Sequence, residues 1–193
     1  MKFKTILGSL LITLFMAAPA MAENYIIDTQ KHHAFIQFKV KHLGYSWLLG
    51  RFDTFKGTFT YDAKHPENNT VKVTIDTASI DTNHAKRDKH LRSADFFDVA
   101  KYPTATFEST SYEDKGHDRG IMKGLLHLHG VTKQLAIDVD QVGTGPDPWG
   151  GYRRGFEGHT ILHLSDYHMP FAPKLGPVSE DVQLYLSIEG IRQ

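Results

Sequence analysis

Residues 81–109 read DTNHAKRDKHLRSADFFDVAKYPTATFES, a charged, helix-compatible insert in a chain whose other segments alternate with the period of β-strands. Asp81 or Thr82 can cap a helix N-terminus, and between His84 and Ser93 the apolar residues are Ala85 and Leu91 alone. A helix this polar must lie on the surface. Phe96, Phe97, Val99 and Tyr102 then supply an apolar patch ahead of Pro103, which cannot continue a helix and returns the chain to an extended path. The insert therefore reads as a capped surface helix that plugs one end of a β-structure, or as the frame of an opening there.

Outward from the insert, Ala34, Ile36, Phe38 and Val40 oppose Phe35, Gln37, Lys39 and Lys41, and near the end Val182, Leu184, Leu186 and Ile188 oppose Gln183, Tyr185, Ser187 and Glu189. A period of two marks half-buried antiparallel strands. Comparable runs near 51–62, 70–77, 104–113, 119–129, 133–143 and 153–165 bring the count to about eight, with Gly, Pro, Asn and Asp clusters between several of them. Periodicity fits either a two-sheet sandwich or a closed barrel, because both bury one face of each strand.

The insert also resembles the central signature of the YceI-like periplasmic proteins, RD-x-HLRS-x-DFFD-x-x-x-YP-x-x-TF-x-S. Arg87, Asp88, His90, Leu91, Arg92, Ser93, Asp95, Phe96, Phe97, Asp98, Tyr102, Pro103 and Phe107 occupy its places without a gap. His33-Ala34-Phe35 through His42-Leu43-Gly44, Gly124-Leu125 through Gly130-Val131-Thr132, and Asp147-Pro148-Trp149-Gly150 with Gly155-Phe156-Glu157 resemble further family segments. The likeness thus runs over nearly the whole chain after its leader. It implies an all-β fold, an elongated eight-stranded antiparallel barrel similar to the lipocalins, with a short helical insert on the surface.

Lys2 and Lys4 precede an apolar run from Ile6 to Met16, and Ala20-Met21-Ala22 follows as a small-x-small cleavage site, the pattern of a secretory signal peptide. We expect residues 1–22 to be this leader and 23–193 to be one domain in the periplasm. Removing 22 of 193 residues leaves 171, and losing the two lysines leaves 20 Lys+Arg against 22 Asp+Glu, a net charge near −2. That balance offers no electrostatic case for nucleic acid. With no cysteine, the chain has no disulfide, thiolate metal site or acylated anchor, so its fold must rest on an apolar core.

An eight-stranded barrel either fills its interior with side chains or holds one small ligand. The family resemblance implies the latter, enclosure of a long isoprenoid chain such as a quinone or polyprenyl tail. The side chains expected to face it are Ile36, Phe38, Val40, Phe96, Phe97, Phe107, Leu126, Leu128, Leu162, Leu164, Leu184 and Leu186, with Arg87, His90 and Arg92 at the mouth. Each buried methylene gains roughly 0.8 kcal/mol relative to water, but a bilayer offers the same gain. Selectivity must then come from tunnel shape and from polar groups at the opening.

The 12 histidines are the rival signal. His127-x-His129 on a strand would put both rings on one face, with His159 or His163 as a third ligand. If Leu126 and Leu128 face inward, however, that pair faces solvent, and no metal site is expected. The chain has no G-x-S-x-G, no H-E-x-x-H and no phosphate-binding glycine loop, and Asp76, Asp81, Asp88, Asp95 and Asp98 are explained by capping and by pairing with Lys86, Arg87 and Arg92. The expected function is a carrier or sequestration protein without turnover or cofactor. A secreted enzyme acting on an apolar substrate and a histidine-based metal binder are the alternatives. A long-chain isoprenoid lipid is the expected partner, with transient membrane contact and a homodimer left open.

Overall fold

The alternating segments form strands of a single antiparallel sheet that closes on itself. The computed structural model describes residues 22–30 and 33–193, so the expected leader, apart from Ala22, lies outside the described residues. The strands are β1 (Glu23–Ile27), β2 (Phe35–His42), β3 (Ser46–Phe52), β4 (Phe55–Tyr61), β5 (Thr70–Asp76), β6 (Ile80–Asp81), β7 (Thr104–Gly116), β8 (Arg119–Leu128), β9 (Val131–Pro146), β10 (Tyr152–His163) and β11 (Asp181–Arg192). The one α-helix among the described residues, α1, spans Ala85–Arg92. Strands β1, β4, β5, β7, β8, β9, β10 and β11 pair in that order, and β11 returns to β1 to close an eight-membered ring.

The three remaining strands prolong the same wall. β11 pairs with β1 through Gly190, Ile191 and Arg192 and with β2 through Val182 to Ser187, so β1 and β2 follow one track. β3 continues into β4, and β6 continues β5 to meet β3 at Arg51 and Phe52. The eight sequence runs thus correspond to eight strand tracks joined to their chain neighbours, an up-and-down barrel. β11 alone, with 12 residues, spans roughly 40 Å along its axis.

Two breaks differ from the continuous strands expected. Strand β1 was not anticipated, and the run at 51–62 starts at Ser46 and is interrupted at Asp53 and Thr54. Odd residues face inward in β1 and β4 (Tyr25, Ile27, Phe55, Phe59), whereas even residues do so in β2 and β3 (Ile36, Phe38, Leu48, Phe52). A strand has a side-chain period of two, so keeping both halves apolar-inward requires an irregular segment between them. Asp53 and Thr54 provide it between β3 and β4, and after β1 the chain leaves strand geometry at Asp28, Thr29 and Gln30. The second break is stitched by Asp53 N donating to the Ser79 carbonyl, Thr54 N to Ser79 Oγ and Asp76 N to the Thr54 carbonyl, at 3.1, 3.0 and 2.9 Å.

The connections fall at two ends. The β2–β3 turn, the insert between β6 and β7, the β8–β9 turn and the long β10–β11 segment lie at one end; the β4–β5, β7–β8 and β9–β10 connections lie at the other. Pro103 does end the insert, since β7 starts at Thr104.

Candidate functional site

Inward residues from every track surround an apolar lumen of two chambers. The near chamber, about 320 Å³, is lined by Ile36, Phe38, Val40, Leu48, Phe52, Leu126, Leu128, Leu162, Val182 and Leu184 from the wall, and by Arg87, His90, Leu91, Phe96, Phe97, Leu164, Met169, Phe171 and Leu175 at the insert end. The far chamber, about 150 Å³, is lined by Phe59, Val73, Phe107, Met122, Ile137, Val139, Phe156, Leu186 and Ile188, among others. Ile36, Ile75, Leu126 and Leu184 border both and form the waist. Lys41, His42 and Leu43 line the near chamber while being solvent-exposed, so it reaches the surface beside the β2–β3 turn.

Of the residues singled out in sequence, Ile36, Phe38, Val40, Phe96, Phe97, Leu126, Leu128, Leu162, Leu164 and Leu184 stand around the near chamber, and Phe107 and Leu186 around the far one. Leu164 does so from a 3₁₀ turn, Leu164–Tyr167, rather than from a strand. Not anticipated were Leu48 and Phe52 of β3, and Met169, Phe171 and Leu175 of the β10–β11 segment. In β3 the alternation was masked by exposed Trp47 and Leu49. The β10–β11 segment carries prolines that make it read as a plain loop.

Inward-facing glycines keep the lumen open. Gly50 faces Phe38 across β2 and β3, and a methyl on Gly50 would stand 2.8 Å from both Phe38 Cε atoms and closer to Cζ. Likewise a methyl at Gly124 would lie 2.7 Å from Phe107 Cε2, and one at Gly120 2.6 Å from Tyr112 Cε2. Each ring therefore lies flat against a wall where the neighbouring strand has no side chain. Rings of this size at ordinary positions would project across an eight-stranded barrel and fill it.

The mouth is held by the insert. α1 is capped by His84, whose Nδ1 accepts from Arg87 N at 3.2 Å, and not by Asp81 or Thr82 as expected. Asp81 instead accepts from Asn83 N, which sits at φ 60°. Thr82 is a clamp: its amide donates to buried Asp88 at 2.9 Å and its hydroxyl donates to the same oxygen, while Arg87 donates to the Thr82 hydroxyl and carbonyl oxygens, both at 2.7 Å. Burial pushes the Asp88 carboxyl upward, but the Thr82 hydrogen bonds and the nearby Arg92 charge outweigh it and hold it below the usual carboxylate range.

Arg92 donates to the Ala78 and Ile80 carbonyls at 2.6 and 2.7 Å and is outside the chamber lining, so of the three mouth residues only Arg87 and His90 border the lumen. His90 Nε2 meets Asp95 at 2.9 Å and its ring packs edge-on against Phe96 and Phe171. Phe171 N donates to the Asp95 carbonyl at 2.9 Å, tying the β10–β11 segment to the insert. Phe97 stands edge-on to Phe52, with centroids 5.7 Å apart.

At the opposite end Arg154 is buried behind Tyr61, a residue of the far-chamber lining. Its guanidinium carbon lies 3.6 Å from the Tyr61 ring centroid, and the group donates to Gln141 Oε1, the Tyr25 hydroxyl and Glu23. Its neighbour Arg153 points the other way. It donates to Asp28 at 2.7 Å, to Asp147 at 2.8 Å and to Glu189, and these hydrogen bonds raise its pKa against the opposing effect of burial. Asp147 also accepts from Trp149 N and Gly151 N, which accounts locally for the Asp147-Pro148-Trp149-Gly150 motif.

Asp28, His33 and Glu189 have the spacing of a cation site, but the Arg153 guanidinium already bonds to two of the three. The histidine pair expected on one strand face is split. His127 is exposed and meets Thr132 Oγ1 at 2.9 Å, whereas His129 lies in the β8–β9 turn at φ 50°, packs at a tilt against Tyr102 and meets the Tyr167 carbonyl at 2.9 Å. His163 pairs with Asp181 at 2.7 Å. Among the described residues no buried side-chain nitrogen or oxygen lacks a partner.

Residues 25–190 match the family described as the YceI-like domain. A Pseudomonas aeruginosa UPF0312 protein is 57% identical over 180 residues, 93% of each chain. Protein YceI of Escherichia coli is 50% identical over 191 residues, 98% of each. Among solved structures, a polyisoprenoid binding domain from Saccharophagus degradans superposes with a TM-score of 0.62 at 17% identity, covering 88% of this chain and 98% of that one, a likeness of fold. Match, identity and barrel agree, and the chain belongs to the YceI-like family.

Proposed function

We propose that the protein holds the chain of a long isoprenoid lipid, of quinone or polyprenyl type, inside its barrel and carries or sequesters it in the periplasm without chemical turnover. The observation that carries this reading is the two-chamber apolar lumen, reaching solvent at the insert end. Its volume lies in the range of small-molecule sites, and it is lined almost wholly by aliphatic and aromatic groups. The polar groups at the mouth are held by the protein itself, Arg87 by Thr82, His90 by Asp95, and Ser179 through its hydroxyl to the Lys41 carbonyl at 2.6 Å. Such groups hold a shape rather than attack a bond. The polyisoprenoid binding of the Saccharophagus degradans domain supports the same ligand class.

A bilayer solvates a prenyl chain as well as the lumen does, so apolar area alone does not extract it. The lumen must fit the chain, and the head group must find partners beside Arg87 and His90. Native mass spectrometry of gently purified protein tests this. A bound mass of prenyl-lipid size is expected, and a metal-sized increment or a uniformly empty protein contradicts it.

A further inference from the structure

The β2–β3 hairpin carries an apolar outer surface that the barrel does not need. Of ten large hydrophobic residues exposed among the described residues, five lie within positions 35–52: Phe35, Leu43, Tyr45, Trp47 and Leu49. Tyr45 is 86% and Leu49 66% exposed. On the same face Lys39 and Lys41 pair with Leu49 and Trp47, and their ammonium groups lie 4.8 and 5.6 Å from the Trp47 ring centroid. Positions 35–52 contain no Asp or Glu, in a chain whose acidic and basic residues are equal in number overall.

The turn adds a second observation. Leu43 and Gly44 both have positive φ, 50° and 85°, with Tyr45 N donating to the His42 carbonyl at 3.0 Å. Such tight hairpin turns favour Asn, Asp or Gly at both central positions, and a leucine there is strained. Leu43 is half-exposed and also lines the near chamber, so it joins the hairpin surface to the lumen.

We propose that this hairpin docks the open end of the barrel on an anionic lipid bilayer, with Leu43, Tyr45 and Trp47 in the head-group layer and Lys39 and Lys41 against lipid phosphates. Aromatic and aliphatic side chains flanked by lysines are what a membrane interface selects, and the bare charges complement an anionic leaflet. Docking there places the opening of the lumen against the phase in which an isoprenoid lipid resides. The surface stands apart from the cargo reading, because vesicles without prenyl lipid suffice to test it.

The test is flotation with vesicles of phosphatidylcholine alone and with about 30% phosphatidylglycerol, using a Trp149→Phe background so that Trp47 is the sole fluorescent indole. Binding is expected only to the anionic vesicles, with a blue shift of Trp47 emission, a loss of roughly fivefold for each of Lys39→Gln and Lys41→Gln, and a further decline in high salt. Leu43→Asn suits the turn better than leucine, so it should preserve the melting temperature yet weaken binding. Equal binding to neutral and anionic vesicles, or none to either, overturns the proposal. So does a Tyr45→Ser, Leu49→Ser variant that turns a dimer into a monomer with vesicle binding intact, which assigns the patch to a second copy of the chain.

Discussion

Replacing Gly50 with alanine separates an open lumen from a packed core, because the atoms nearest to the added methyl all belong to the Phe38 ring. Ordinary carbon contacts are about 3.5–4.0 Å, so a ring with atoms 2.8 Å away must shift by about 1 Å. In a filled core that shift is overpacking and costs about 1–3 kcal/mol. Beside a near chamber of about 320 Å³ the ring can swing inward, and loss of a strand glycine returns roughly 0.5–1 kcal/mol. Ligand-free Gly50→Ala should therefore melt within a few degrees of wild type, each kcal/mol corresponding to roughly 2–4 °C at this size. The displaced ring takes the room of about two or three methylenes, worth about 2 kcal/mol, or roughly 30-fold in Kd for a fluorescent prenyl alcohol. A clear drop in the melting temperature of the ligand-free variant with unchanged prenyl affinity would mark Phe38 as part of a packed core.

Arg154→Ala removes the cation that stacks on Tyr61 of the far-chamber lining; it should cost about 1–3 kcal/mol by leaving Gln141 Oε1 without its donor, while Glu23 keeps Tyr25 and Arg192, and it should raise the longest prenyl chain accepted, measured by competition across a chain-length series. The depressed Asp88 pKa gives stability that is fully present above the ordinary carboxylate value near 3.9 and is lost as pH falls through the lower folded value. Asp88→Asn should therefore cost about 1–3 kcal/mol at pH 7 and flatten the decline of melting temperature below about pH 4; an unchanged acid profile contradicts the Thr82 clamp. Arg92→Ala should loosen the insert from the Ala78 and Ile80 carbonyls and speed prenyl transfer to acceptor vesicles severalfold with little effect on equilibrium loading, and stopped-flow transfer measures this.

The eight tracks were legible because each obeys the period of two within its strands, and in β2 that period puts Ile36, Phe38 and Val40 on one face, the face that borders the near chamber. Where the period shifts phase, as at Asp53 and Thr54, no local signal announces that the two halves belong to one track, since the switch serves the closed wall and not the segment. The near-chamber residues of the β10–β11 segment were hidden for a related reason: Met169, Phe171 and Leu175 have no regular spacing, and Phe171 is held by Asp95 and His90 of the distant insert. Arg87 and Arg92 look alike in sequence as exposed helix cations. Only the position of the carbonyls at Thr82, Ala78 and Ile80 separates the one that borders the lumen from the one that pins the insert. The glycine–aromatic pairs could have been suspected from inward-phase glycines at 50, 120 and 124, but the strand register was needed to match them with Phe38, Tyr112 and Phe107.

In the proposed function one prenyl chain threads the lumen tail first, with its head group at the insert end. A prenyl probe bearing a photoreactive diazirine at its tail, crosslinked and mapped by peptide mass spectrometry, measures this directly. Labelling of far-chamber residues such as Ile137, Val139, Phe156 and Ile188 is expected. Labelling confined to the insert or the outer wall, with the far chamber unmarked, would contradict it.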